Sequence, residues 1–203
     1  SLAMPALPVC FEAIAHSTDN LSIRAGCVDV TSEGGKEEGS QFSSISTGAT
    51  LLNSTNTGTA MLGLRHPRMT TYNTVSTDNT RDMIASKIAS WCRDEASIQV
   101  YVARDTVATN LDAATWTAHS DGTDEFLVGG TGSALDTAFQ LDKASMKLVL
   151  VEWNDLEQKN SVINPSNGTA PFYITPGDIM VIVVEPLGVN KDASVTLYYS
   201  EEI

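Results

Sequence analysis

The stretch that decides the fold is Ile179-Met-Val-Ile-Val-Val184, an unbroken run of six apolar residues. It follows the turn residues Thr175-Pro-Gly-Asp178, and a second segment, Ser194-Val-Thr-Leu-Tyr-Tyr-Ser200, comes shortly after it. Short apolar or β-branched runs bounded by turn residues are typical of strands buried in a sandwich. We therefore predict that these two segments are paired strands of a β-sandwich.

Further strands are predicted upstream by the same kind of patterning. They lie at 9–16, 21–30, 98–102, 115–117, 125–128, 138–141 and 146–153. Many short strands separated by Gly, Asp and Asn turns favour a sandwich or jelly roll, and a chain of 203 residues commonly forms one such domain. We predict a mainly-β, jelly-roll-like sandwich over residues 9–203. Residues 1–8, which include Pro5 and Pro8, are predicted to form an extended N-terminal arm.

The segment 31–60 differs in composition from the predicted strands. Nineteen of its thirty residues are Ser, Thr, Gly or Asn, with a single apolar pair at Leu51 and Leu52. Such a segment has little apolar surface to offset its ordering entropy. We expect a polar insertion that is ordered by something outside it, such as a neighbouring subunit.

One helix is predicted near residues 80–93. Asp78 and Asn79 offer a helix cap, and apolar residues then recur at roughly helical spacing at Met83, Ile88 and Trp91. We expect this helix to lie across the mouth or one face of the sandwich.

The charge distribution limits the classes of partner. The formal net charge is -13, which disfavours binding to nucleic acid phosphates or to anionic lipid. No apolar run approaches the ~18 residues of a membrane-spanning helix, and residues 1–15 lack the pattern of a signal peptide. Residues 65–104 nevertheless carry +2, against -15 for the rest. Either this span holds ordinary solvated cations, or it forms a docking surface for an acidic partner through Arg65, His66, Arg68, Arg81 and Lys87.

Motifs for catalysis are not recognisable in the sequence. The histidines His16, His66 and His119 lie in no nucleophile or metal motif, so we expect a protein that is not an enzyme and uses no cofactor and no metal. The Gly-rich segment Val128-Gly-Gly-Thr-Gly-Ser133 lacks the lysine of a phosphate loop and is predicted to be a hairpin loop. The turn Asp121-Gly-Thr-Asp-Glu125 is either a solvated turn or a Ca²⁺ site.

The cysteines and tryptophans are predicted to be mostly buried. Cys10, Cys27 and Cys92 match no zinc spacing and are expected to be free thiols, although Cys10 and Cys27 would be able to pair if the first two strands are neighbours. Each tryptophan lies in an apolar pattern, which favours core positions over a sugar-stacking platform; the three are Trp91, Trp116 and Trp153.

In its overall style the chain resembles the capsid decoration or cement proteins of tailed bacteriophages, with Ile174–Val184 and Ser194–Ser200 as the most similar parts. The resemblance implies a non-enzymatic structural virion protein on the capsid surface. It would form a homo-oligomer and bind the major capsid protein or other virion subunits, with no nucleic acid or membrane partner.

A second resemblance covers about a quarter of the chain. The segments Ile98–Asp105, Thr115–Thr117, Phe139–Leu141 and Met146–Leu150 are similar to strands of discoidin-like, galactose-binding sandwiches. That likeness implies a glycan-binding module of a fibre or adhesin.

Overall fold

The computed structural model describes residues 40–52, 58–72, 75–104, 107–119, 123–154, 160–163, 172–188 and 191–202. These residues belong to one compact unit, Gly39–Ile203. The prediction of an arm at 1–8, of strands at 9–16 and 21–30, and of a Cys10–Cys27 pair concerns residues outside these ranges. Among the described residues, no helix is long and apolar enough to cross a membrane.

The described residues form fourteen strands and two α-helices. The strands are β1 (Ser40–Ser46), β2 (Thr50–Leu52), β3 (Thr59–Arg65), β4 (Met69–Tyr72), β5 (Val75–Asp78), β6 (Met83–Cys92), β7 (Ala96–Ala103), β8 (Thr117–Ala118), β9 (Glu125–Val128), β10 (Lys147–Asn154), β11 (Asn160–Ile163), β12 (Phe172–Ile174), β13 (Ile179–Pro186) and β14 (Lys191–Glu202). The helices are α1 (Thr109–Asp112) and α2 (Ala134–Asp142), and a 3-10 turn, Lys143–Ser145, follows α2.

Two antiparallel sheets make up the sandwich. Sheet 1 has the order β1-β14-β6-β11, with β2 also on β14 and β12 also on β6. Sheet 2 has the order β10-β7-β13-β3-β9-β8, and the hairpin β4-β5 stands apart from both. The mainly-β sandwich is therefore confirmed, whereas the jelly-roll connectivity stays a prediction.

The two segments that predicted the fold lie at the centres of opposite sheets. Strand β13 pairs with β3 and β7 in sheet 2, whereas β14 pairs with β1, β2 and β6 in sheet 1. The prediction that they pair with each other is wrong, because the chain between them crosses from one sheet to the other. Their side chains meet instead across the main core, where Ile182 and Leu197 are both fully buried.

The apolar run in β13 is continuous because both faces of the strand are covered. Met180, Ile182 and Val184 face the core between the sheets. Val181 and Val183 face a second core, formed with Leu135 and Phe139 of α2 on the outer side of sheet 2. A strand buried on both faces shows no polar alternation.

The helix predicted near 80–93 is wrong, because these residues form the central strand β6. Its pairing with β14 shifts between Tyr198 and Tyr199, which inserts one extra residue in β6 at Ser86. The buried positions therefore run Met83, Ala85, Ile88, Ser90 and Cys92. A single bulge in a strand of period two thus imitates helical spacing.

The strand predicted at 138–141 is also wrong, since these residues belong to helix α2. Ser133 caps the helix by accepting a hydrogen bond from the Asp136 backbone N–H, as N-cap serines do. Leu135, Ala138 and Phe139 are its buried apolar residues. Their spacing of three and four residues is helical, but the helix is too short to repeat the pattern.

The described part of the polar segment 31–60 is ordered in the sandwich. Strands β1 and β2 follow one another along the same side of β14, and β3 begins at Thr59. Ile45 and Leu52 are buried in the main core. These residues are therefore part of the sandwich, through backbone pairing with β14 and two buried side chains, whereas the need for a neighbouring subunit to order the segment stays a prediction.

Candidate functional site

One end of the sandwich gathers most of the described arginines. Strand β3 ends at Arg65, which lies opposite both Glu125 and Ile179, and the segment after β7 brings Arg104 to the same end. A depression of about 340 Å³ opens there, lined by Arg65, His66, Pro67, Arg68, Met69, Asp112 and Gly177. We call the region around Arg65, Arg68, Arg81 and Arg104 the arginine end.

Arg65 is held in a fixed position beside the depression. Its Nε donates to Glu125 Oε2 at 2.6 Å, and its Nη1 donates to the Asp112 carbonyl oxygen at 3.0 Å. The guanidinium carbon also lies 5.3 Å from the centre of the Trp116 ring, within the range of a cation–π contact. These contacts leave the Arg65 side chain mostly buried and already paired.

The other arginine pairs at this end have their cations outside and their carboxylates inside. The Arg104 side chain is 61% exposed and its partner Asp178 only 4%. Arg81 is 38% exposed, whereas its partner Glu201, 3.4 Å away, is 3% exposed. Arg68 is exposed at the rim of the depression. In the Arg104 and Arg81 pairs the guanidinium is therefore the more exposed group, whereas Asp112, which pairs with Arg65 in the depression, is an exposed carboxylate.

His66 is fully buried, so it supports the depression through backbone and ring hydrogen bonds. Its Nε2 donates to the Arg81 carbonyl oxygen at 2.6 Å, and its Nδ1 lies 3.4 Å from Asn79 Nδ2. Its backbone N–H and C=O bond to Asp178 and Gly177. His66 thus joins the start of β6 to the turn before β13.

The turn Thr175-Pro-Gly-Asp178 forms the floor of this end. The Asp178 N–H donates to the Thr175 carbonyl at 2.9 Å, and Gly177 has a φ of 97°. Proline at the second position and a positive φ at the third define a type II turn, which favours glycine there. Asp178 Oδ2 accepts bonds from the Thr175 N–H at 2.9 Å and from its Oγ1 at 2.8 Å, so the carboxylate that pairs with Arg104 is fixed.

Asp124 and Glu201 are both buried and accept hydrogen bonds within the fold. The Tyr199 hydroxyl donates to Asp124 Oδ2, and the Thr123 backbone N–H donates to Glu201 Oε2 at 3.2 Å. Burial raises the pKa of Asp124 above its usual range, and the bond from Tyr199 opposes this rise. Burial, together with the neighbouring Asp124, also raises the pKa of Tyr199. Asp124 and Tyr199 do not line the depression, so we assign both a structural role.

The five predicted docking residues are not all brought together. Arg65, His66 and Arg68 line the depression, and Arg81 is joined to them through His66. Lys87 lies instead in the middle of β6, with its Nζ 5.1 Å from the centre of the Tyr198 ring. The helix predicted to carry Arg81 and Lys87 does not exist, because β6 is a strand.

The carboxylates of the turn at 121–125 point to different partners. Asp124 bonds to Tyr199, whereas Glu125 bonds to Arg65, and Asp121 lies outside the described residues. The described part of the chain contains no cluster of three or more His, Cys, Asp or Glu residues able to hold a metal ion. Cys92 is a buried free thiol whose pKa is raised by burial.

The Gly-rich segment connects β9 to α2, so the prediction of a hairpin loop is wrong. Gly130 and Gly132 have positive φ values of 146° and 71°, which explains the glycines. The Asp136 carboxylate accepts from the Gly132 N–H at 3.1 Å and from the Ala60 N–H at 3.0 Å. The hydrogen bond that the Gly132 N–H of this loop donates is therefore accepted by a carboxylate of the chain itself.

A second surface was not predicted from the sequence. On the outer face of β10, the side chains of Leu148, Val151 and Trp153 are exposed, and Trp153 is 63% exposed. The core position predicted for Trp153 is therefore wrong, whereas Trp91 and Trp116 are half-buried. The only signal in the sequence was the alternation of apolar and polar residues in Val151-Glu-Trp153, which does not indicate which face of the strand is covered.

The two surfaces offer different chemistry. The arginine end presents cations around an open depression, and the outer face of β10 presents apolar and aromatic side chains on a sheet edge. No protein-family model matches this chain, and no curated protein matches it in sequence.

Proposed function

We propose that this chain is a structural virion protein that binds and stabilises a viral capsid from its outer surface, as decoration or cement proteins do. The partner in this proposal is the major capsid protein or another virion subunit, and the arginine end is the docking surface. The resemblance described above supplies the class of partner. The geometry of the arginine end supplies the mode of binding.

The outward orientation of the arginines is the observation that carries the proposal. In the Arg104–Asp178 and Arg81–Glu201 pairs the carboxylate is buried beneath the guanidinium, which is the more exposed partner. Guanidinium groups keep further N–H donors for a second carboxylate. An acidic partner segment would therefore find donors at this end, although the chain as a whole carries a net charge of -13.

The depression adds apolar contact beside the charges. Met69 is exposed at its rim, and Pro67 and Gly177 line it. Complementary charge mainly sets the rate and orientation of association, whereas buried apolar contact contributes more to affinity. The expected ligand is an acidic loop that carries one apolar side chain.

The docking surface is tested most directly by reversing Arg68. Arg68→Glu should reduce the amount of protein bound to capsids several-fold, because it places like charge against an acidic partner. The measurement is co-sedimentation of the purified full chain with stripped particles, repeated at increasing salt.

Arg93→Glu is the matched control, since it makes the same charge change at an exposed arginine paired with Asp192. Equal loss of binding in both variants would contradict the assigned surface. Quantifying the chain in particles from a density gradient tests the function itself. A fixed ratio to the major shell protein is expected, and absence from the particles would reject the proposal.

A second candidate function is glycan binding on the outer face of β10. Trp153 lies opposite Ser97 in the sheet, and Gln99 Nε2 donates to Ser97 Oγ at 2.9 Å and to Glu185 Oε2 at 2.8 Å. An exposed aromatic ring beside a row of polar groups is an arrangement that fits a sugar ring. This candidate remains the alternative to the virion role.

The glycan candidate predicts that Trp153→Ala abolishes binding on a glycan array and removes quenching of tryptophan fluorescence by the bound sugar. Leu187→Ala, at another exposed apolar residue, should leave both unchanged. An array on which the wild-type chain binds no glycan would contradict this candidate.

A further inference from the structure

We propose that β10 pairs antiparallel with β10 of a second copy of this chain, around a two-fold axis that passes between Val149 and Leu150. The pairing places Lys147 of each copy opposite Glu152 of the other and joins the two outer apolar faces. It goes beyond the proposed docking to capsids, because it concerns a different surface and a different partner.

Strand β10 is an edge of sheet 2. It pairs with β7 along one side, and no described strand pairs with its other side. Its eight residues include the exposed apolar side chains of Leu148, Val151 and Trp153. A strand edge of this length with apolar side chains is a template for pairing with another strand.

A bulge in β10 makes the succession of core-side and outer-side residues along the strand symmetrical. The register with β7 shifts between Leu148 and Leu150, which leaves Val149 as the extra residue. Val149 and Leu150 both pack against the core between the sheets, whereas Leu148 and Val151 lie opposite Tyr101 and Gln99 on the outer face.

The flanking residues complete this pattern. Lys147 and Glu152 lie opposite Val102 and Ile98, two residues of the main core, so both are on the core side of the sheet. From 147 to 152 the faces therefore run core, outer, core, core, outer, core. Because this order is the same in both directions, two antiparallel copies place core-side residues opposite core-side residues and outer residues opposite outer residues.

The charges match in the same register. Around an axis between residues 149 and 150, Lys147 meets Glu152 of the second copy twice, and Leu148 meets Val151 twice. Opposite charges and apolar pairs across strands stabilise a sheet. An axis through Glu152 would place two like charges opposite each other, and an axis through Leu150 would oppose the outer Leu148 to the core-side Glu152.

Lysines and bulges on sheet edges often prevent association. In β10 the lysine has an oppositely charged residue at the symmetrical position, and the bulge is what makes the faces match. A two-fold dimer is also the commonest symmetry of soluble oligomers. The self-complementary pattern is therefore better explained by pairing than by protection.

The test is a charge exchange on the full chain, followed by sedimentation velocity over a concentration series in about 0.15 M salt, where contacts persist but long-range repulsion is screened. Lys147→Glu and Glu152→Lys should each weaken the dimer about tenfold, and the double variant should restore it to within about threefold. Lys147→Glu makes the net charge more negative and Glu152→Lys makes it less negative. An effect of net charge alone would therefore move the two variants in opposite directions.

Val151→Lys should abolish the dimer, since it places charges on the joined outer faces, and Leu187→Lys is the control at an exposed apolar residue elsewhere. Circular dichroism confirms that each variant is folded.

A monomeric wild type, single variants that move in opposite directions, or a double variant without recovery would each overturn the pairing. A monomer that binds glycans through Trp153 would also overturn it and favour the sugar site. Variants that are monomeric but still bind particles would support the pairing and leave the capsid proposal intact.

Discussion

Asp124 shows how burial and one hydrogen bond act against each other on a single carboxyl group. Burial raises its pKa, and the Tyr199 hydroxyl, as a donor to the ionised form, lowers it. A raised pKa means that the folded chain holds this proton more tightly than the unfolded chain does. The resulting stabilisation is present below the usual aspartate pKa of about 4 and is lost as the pH rises through the pKa of the folded state.

Asp124→Asn should therefore gain stability relative to the wild type as the pH rises from about 4 toward neutrality. The asparagine carbonyl can still accept the Tyr199 hydrogen bond, but it has no charge to desolvate. Urea unfolding of both chains over this pH range measures the difference. A constant difference across the range would contradict the buried, raised-pKa carboxyl group.

Tyr199→Phe should lower the free energy of unfolding by about 1–3 kcal/mol, because it leaves a buried carboxyl group without its donor. It should also raise the pKa of Asp124 further. The control is Tyr198→Phe, the same change at the neighbouring exposed ring, which should stay within about 0.5 kcal/mol. Urea denaturation at neutral pH tests both, and equal effects would assign Tyr199 no special role.

The sequence of β6 fits both a strand and a helix when it is taken without its neighbours. Its residues present a helix-like spacing because Ser86 interrupts the alternation, and no feature of the sequence alone reveals a bulge. Strands with clear alternation or continuous apolar character, such as β7, β9, β10 and β13, were predicted close to their observed bounds. Helix α2 was missed because its apolar pattern covers only two turns.

The observed strand and the helix predicted from the sequence differ in the stability loss expected when the isoleucines of β6 are truncated. Ile88 is fully buried and Ile84 only half-buried, whereas a helix would have buried both on one face. Ile88→Ala should cost about 2–5 kcal/mol of unfolding free energy, and Ile84→Ala about 1 kcal/mol. Chemical denaturation of the two variants measures this contrast, and similar losses at both positions would contradict the strand.

The basic span is visible in the sequence, but the geometry of its arginines is not. The composition indicated that residues 65–104 are less acidic than the rest. Only the fold shows that Arg81 and Arg104 face outward over buried carboxylates from β14 and from the turn before β13. Such pairings join residues more than seventy positions apart, so no local pattern contains them.

The outer face of β10 was missed for the same reason, because its exposure depends on where α2 stops covering sheet 2.

The position of β13 and β14 in the chain has a consequence for synthesis on the ribosome. These two strands form the interior of opposite sheets, and both follow every other described strand in chain order. A chain that emerges amino end first therefore exposes β3, β6 and β7 before their shared neighbours exist. Unpaired apolar strands are prone to aggregate during this interval. The pairs β7–β10 and β3–β9 can form earlier, but neither sheet is complete until residues near 200 have left the exit tunnel.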